Sequence, residues 1–179
     1  MRRAGLPSHR WSRVTSNVRP HHTHPAMTPL FKKLNLGAAE VIDVLNAPAT
    51  FEPELEQLSG VKVKRNVTEA VDFALAFVTN LREVERAVEQ LTRSAAPDAI
   101  LWMVYPKGSS KKYKCDFNRD SGWSSLGQAG YEPVRQVAID EDWSALRFRK
   151  AEFIKTMRRK SVSAISEIGR RRAKQQREA

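Results

Sequence analysis

Few side chains in this sequence are placed to do chemistry. The richest stretch is Pro106-Lys107-Gly108-Ser109-Ser110-Lys111-Lys112. Lysines, hydroxyls and open backbone N–H groups in one loop suit a phosphate or a carboxylate. The stretch lacks the glycine spacing of a P-loop, so a solvated turn also explains it. Asp116 and Asp120 follow, spaced as one helical turn. Paired carboxylates can carry acid–base work; helix capping or pairing with lysine accounts for them as well. Asp140-Glu141-Asp142 reads as a solvated hairpin tip rather than a metal site. All four histidines, His9, His21, His22 and His24, lie near the start of the chain. The remainder therefore has no imidazole base, no Ser–His triad and no histidine-containing metal site. His21, His22 and His24 could hold a metal only loosely, with no fold around them. Cys115 is the single cysteine, which excludes an intramolecular disulfide and a cysteine-based zinc site. A small packed residue is the plain reading of it. No catalytic set and no metal site are assigned.

The elements that would position these residues occupy the middle of the chain. Val41–Leu45 is a short apolar run that stops at Asn46-Ala47-Pro48, a turn signal. Thr50 stands where a helix N-cap would, ahead of Phe51, Leu55 and Leu58 at helical spacing. Val61–Arg65 alternates and suits an edge strand. Val71–Val78 and Ala99–Tyr105 are apolar on both faces, as strands of a parallel sheet between helices are. Leu81–Leu91 carries one apolar stripe, and Phe117–Gln128 reads as a helix with irregular ends. Val134–Ile139 and Trp143–Phe148 form a hairpin. Alternating strands and helices predict a three-layer, mostly parallel α/β sheet of Rossmann type. Its antiparallel ending is that of methyltransferase-like Rossmann folds, with one helix and one strand missing between Arg65 and Val71. Trp102 and Trp143 read as core.

That fold makes a specific demand on the turn after the first strand. Cofactor-binding members need glycines there, so that backbone can approach the ligand, and an acid at the end of the second strand for the ribose. This turn, Leu45-Asn46-Ala47-Pro48-Ala49-Thr50, has no glycine, and Pro48 removes an N–H donor. The second strand ends in Lys64-Arg65-Asn66. No S-adenosylmethionine or NAD in the usual pose is expected, and no other cofactor. The crevice beyond the strand carboxyl ends remains the default ligand site. Asn46, Pro48, Asn80, Lys107, Ser109, Ser110 and Asp116 are the candidate ligand-binding residues, with Thr79 beside them.

Charge separates the ends from the middle. The chain is formally +11, yet residues 40–150 carry fifteen basic and seventeen acidic residues. Residues 1–39 hold seven Lys/Arg and no acid, and residues 151–179 hold nine Lys/Arg and three acids. The sequence divides into a disordered basic tail over 1–29, a folded domain over 30–150 and a basic helical tail over 151–179. Met27 opens the ordered sequence and reads as the true start. The first 26 residues are rich in arginine like a transit peptide but show no amphipathic helix. In the C-terminal tail Ile154, Met157, Ile165 and Ile168 lie near one face, with Val162 beside it. Its first turns are expected to pack on the domain and the rest to be solvated. Arg158-Arg159-Lys160-Ser161 matches a basophilic kinase site. Basic tails attract any polyanion weakly. No apolar run reaches the ~18–20 residues of a membrane span, and a cytoplasmic setting is expected.

Four segments together resemble a group of small bacterial proteins catalogued as a domain of unknown function. They are Pro29–Leu34, Leu45-Asn46-Ala47-Pro48, Leu101-Trp102 with Tyr105-Pro106-Lys107, and Asp140–Ser144 with Leu146-Arg147-Phe148. The resemblance covers about residues 27–150, and it implies a Rossmann-like fold without supplying catalytic residues. The functional expectation is a non-catalytic, degenerate relative of methyltransferases that binds a small anionic ligand or a protein partner. One alternative is an enzyme acting on a phosphorylated or carboxylated small molecule near Lys107. The other is a nucleic-acid accessory protein working through its tails.

Overall fold

Strand β1 (Val41–Leu45) forms because its apolar residues are covered on both sheet faces. Five more strands complete one sheet in the order β2-β1-β3-β4-β6-β5: β2 (Lys62–Lys64), β3 (Val71–Phe77), β4 (Ala95–Pro106), β5 (Tyr131–Ala138) and β6 (Trp143–Lys150). The first four strands are parallel, and β6 runs antiparallel between β4 and β5. No strand lies outside β2, and no helix separates β2 from β3 among the described residues. This is a methyltransferase-like Rossmann sheet shortened at one edge. The computed structural model describes residues 27–156 and 161–178. The expectations for 1–26, their histidines included, and for Arg158–Lys160 lie outside the described residues.

Two cores cover the two sheet faces. On one, helices α1 (Pro29–Lys33) and α2 (Glu52–Glu56), led by a 3-10 turn at Ala49–Phe51, bring Phe31, Phe51 and Leu55 onto Ile42, Val44, Phe73, Leu75 and Trp102. The Trp102 indole donates 2.9 Å to the Leu34 carbonyl, so burial leaves no unsatisfied N–H there. On the other face, α3 (Leu81–Thr92) buries Val84, Ala87, Val88 and Leu91 against Ala74, Ala76, Leu101 and Met103. Helix α4 (Ser124–Gln128) adds Leu126, with Trp123 before it.

Three local expectations are corrected. Thr50 lies inside the 3-10 turn, which Pro48 precedes as cap residue; the proline's fixed φ suits that place. The helix expected from Phe117 shrinks to α4, because Phe117 and Trp123 are drawn into the core by Tyr105. Asp116 and Asp120 therefore do not share a helix face. The C-terminal helix, expected from residue 151, is α5 (Glu167–Glu178).

The start of α5 is docked rather than solvated. Glu132 on β5 is 1% exposed. Its carboxylate accepts hydrogen bonds from Ile165 N (3.2 Å), Ser166 N (2.7 Å) and Ser166 Oγ (2.6 Å). Ser166 Oγ in turn accepts from Gly169 N at 2.9 Å. Gly169 presses against the same carboxylate, where an added Cβ would lie 2.1 Å from Oε1. Ala164, Ser166 and Ala173 are buried, and Arg172 donates to the Ala151 carbonyl. Val162, placed on the apolar side by sequence, is 87% exposed. No described helix is long and apolar enough to cross a membrane.

Candidate functional site

The chain reverses direction across the sheet between β1 and β3, and this switch point is where open α/β sheets hold ligands. Here it is filled. Asn46 sits at φ 55°, the left-handed conformation a glycine would otherwise supply. Its Nδ2 reaches the Phe77 carbonyl at 3.5 Å, spanning the ends of β1 and β3. Phe51 and Phe77 pack at 4.9 Å between centroids, Phe77 meets Trp143 edge-on at 5.3 Å, and Tyr113 lies 4.7 Å from Trp143. Pro48 accepts at its carbonyl from Phe51 N at 2.9 Å, closing the 3-10 turn.

S-adenosylmethionine, which the fold implies, does not fit this turn in the family's pose. The Leu45 side chain is buried where a cradle would need bare backbone, and Phe51 and Phe77 occupy the crevice. At the end of β2, Lys64 pairs with Glu69 at 2.6 Å and Arg65 pairs with Glu52, so no acid faces a ribose.

The expected ligand residues separate into three places. Asn46 and Pro48 shape the filled turn. Asn80 and Asp116 come together at the start of α3, beside an open hollow of about 600 Å³. Asn80 Oδ1 accepts from Glu83 N at 3.0 Å, and Asp116 Oδ1 from Leu81 N at 3.0 Å. Glu83 reaches back to Thr79 N (2.6 Å) and Thr79 Oγ1 (3.0 Å). Desolvation is the largest single influence on the Glu83 carboxyl and opposes ionisation. The hydrogen bonds from Thr79 and Asn80 outweigh it and hold the group below the usual range. These residues thus cap α3.

Lys107 and Ser110 staple their loop to the β5–β6 hairpin. Lys107 N donates to Asp142 O at 2.7 Å, and its Nζ to Asp140 O. Ser110, 4% exposed, donates to Asp142 Oδ1 at 2.8 Å and accepts from Lys112 N and Tyr113 N. Ser109 is exposed on the loop. The acidic hairpin tip, read as solvated, is what these residues bind.

Beside that loop a cleft of about 400 Å³ opens at the carboxyl end of β4. Tyr105, Phe117, Arg119, Gln136 and Ser144 line it, with Lys107 at its rim. Gln136 Nε2 donates to Tyr105 Oη at 3.2 Å. One phenol lone pair is thereby filled, and the O–H is left to point elsewhere. Burial holds the Tyr105 phenol above the usual tyrosine range, against the smaller pull of Arg119. The phenol is a neutral donor at physiological pH. Cys115, also on the lining, donates its S–H to the Phe117 carbonyl at 3.0 Å. Sequence reasoning missed Tyr105, Gln136 and Ser144. Tyr105 ended an apolar run, and the other two are single polar residues on strands, where nothing marks them as neighbours.

No model of a known protein family matches the chain, and no curated protein matches it. Solved structures do. A SAM-dependent methyltransferase from Aquifex aeolicus is similar at 15% identity and TM-score 0.46, over 69% of this chain and 90% of its own. The N-methyltransferase NodS from Bradyrhizobium japonicum follows at 12% and 0.45, over 68% and 92%. The pyocyanin biosynthetic protein PhzM stands at 10% and 0.42, over 62% and 49%, so the chain spans about half of that protein. At these identities the likeness is one of fold. These neighbours are named as methyltransferases and a biosynthetic protein, and not as a non-catalytic binding domain. The expectation of a non-catalytic domain binding a small anion or a protein partner is corrected accordingly.

Proposed function

We propose that the chain is a methyltransferase-like enzyme acting on a small aromatic carbonyl compound held in the cleft beside Tyr105. The observation that carries this is the Tyr105–Gln136 pair. A buried phenol whose acceptor side is already occupied presents its proton to whatever oxygen enters the cleft. Such a neutral donor polarises a carbonyl without needing a counter-charge. Phe117 and Tyr105, tilted at 46° with centroids 5.9 Å apart, give the cleft an aromatic wall, which suits an aromatic substrate. No methyl-transfer step is derived, because the β1 turn does not fit the cofactor in its usual pose. The domain over 30–150 carries the site, and the four motif segments support membership of the small bacterial group that the sequence resembles. A cytoplasmic setting goes with this proposal, supported by the lone, unpaired Cys115.

The test uses Trp123, 5.6 Å from the cleft's Tyr105, and Trp143, 4.7 Å from Tyr113 at a 45° tilt. A panel of aromatic ketones and amides is titrated against their fluorescence, and turnover is followed by mass spectrometry with and without S-adenosylmethionine. We expect at least one compound to quench saturably and to be consumed, with Tyr105→Phe weakening binding about tenfold, the loss of one hydrogen bond. Quenching by no compound, or wild-type affinity retained in Tyr105→Phe, overturns it.

A further inference from the structure

The sheet face that packs under α1 and α2 ends, at β5 and β6, in a cluster of arginines. Arg135 and Arg147 are direct cross-strand partners, and Arg149 lies two residues along the same strand, hence on the same face. Trp102 is the partner of Arg147 on the other side, which fixes that face as the one under α1. Glu132, the cross-strand partner of Arg149, spends its carboxylate on Ile165 and Ser166, and among the described residues Asp98 is the one carboxylate ion-paired to the three guanidiniums. Asp98 holds Arg149 in a two-pronged contact, 2.6 Å to Nε and 2.5 Å to Nη2. Arg135 and Arg147 form no ion pair among the described residues. Arg147 is half-buried, and its Nε is buried without a hydrogen-bond partner.

A half-buried guanidinium beside two others is an unfavourable arrangement unless an anion completes it. Burial, and then Arg149, depress the Arg147 ionisation, so the site as it stands opposes its own charge. Residues 1–26 and 157–160, outside the described part, contain no aspartate or glutamate. We infer that Arg135 and Arg147, with Arg149 beside them, form a structural site for a tetrahedral oxyanion of the phosphate class. A fork of N–H donors from each guanidinium matches such an ion in charge and geometry. The site lies on the face opposite Tyr105 and Ser144, so it is independent of the proposed substrate cleft.

The experiment is thermal unfolding of the full chain in phosphate, acetate and chloride at matched ionic strength. Phosphate is expected to raise the midpoint saturably, by about 3 °C at tenfold excess over its Kd, while chloride and acetate leave it unchanged. Arg147→Met should abolish the rise. Arg135→Gln, at an exposed position, should weaken phosphate at least fivefold in case the first variant fails to fold. An equal rise in Arg135→Gln and wild type, no rise in wild type, or a rise with acetate as large as with phosphate overturns the inference. Failure here leaves the Tyr105 cleft untouched, since the two readouts share no residue.

Discussion

Asp43 shows how a single residue carries stress in this fold. It sits mid-strand on β1, 3% exposed, with Oδ1 lacking a hydrogen-bond partner and Lys64 as its cross-strand neighbour. Burial raises its carboxyl above the usual range, and the attraction of Lys64 only partly offsets that. A raised carboxyl favours the protonated folded state, so stability is full at low pH and falls as pH rises through the folded pKa. Asp43→Asn should therefore match wild type near pH 4 and exceed it by about 1 kcal/mol at pH 7, read from urea midpoints at the two values. A gap that narrows towards pH 7 would contradict this. At the same scale, the sequence shows Asn46 and Pro48 where a glycine-rich turn would stand, and the structure puts Asn46 at φ 55° and Pro48 ahead of a 3-10 turn. Their identities alone exclude a glycine cradle. What filled the space instead was not legible, because Phe51, Phe77 and Trp143 come from three distant segments.

Among the elements, the segment leading into α5 departs furthest from its sequence signature. Hydrophobic periodicity pointed to Ile154, Ile165 and Ile168; Ile165 does pack against the core, but the fully buried part of the docked surface is made by Ala164, Ser166, Gly169 and Ala173 around Glu132. Small residues allow close approach but add little to an apolar stripe, so the pattern is silent about them. Nothing in the sequence marks Glu132, whose partners come from Ile165 and Ser166, more than thirty residues away. Glu132→Leu removes an acceptor that three donors share, two of them backbone N–H groups left with nothing to bind. We expect a loss of about 2–4 kcal/mol and rapid proteolysis within 161–178. Gly169→Val should do the same through steric conflict with Glu132. Intact protection of 161–178 in both variants would show the docking to be incidental. Helix α4 teaches the converse: Phe117–Gln128 has helical spacing, yet the Tyr105–Phe117–Trp123 ring cluster holds its first half in a loop. Local pattern yields to tertiary packing there.

For the molecule as a whole, the mostly parallel sheet with its antiparallel ending was the most legible property. Runs apolar on both faces, an alternating edge strand and a terminal hairpin gave the parallel core and its antiparallel ending, and the short Arg65–Val71 link showed that a strand was missing. The cleft was not legible, since it arises where β4, the 113–119 loop and β5 meet. The filled switch point yields a global prediction. S-adenosylmethionine at 1 mM should shift the melting midpoint of wild type by less than about 1 °C, whereas any Kd tighter than roughly 10 μM gives a visible shift. A clear shift, with the ligand located over Asn46–Ala49 in a crystal, would refute the fit argument. The shortened sheet has one more effect. Losing its outermost strand left β2 as the border, three residues long and flanked by lysine side chains at 62 and 64. A margin so brief and so cationic offers little template for another chain to add itself in register. The narrow sheet thus has, on that side, a border that resists stacking into fibres.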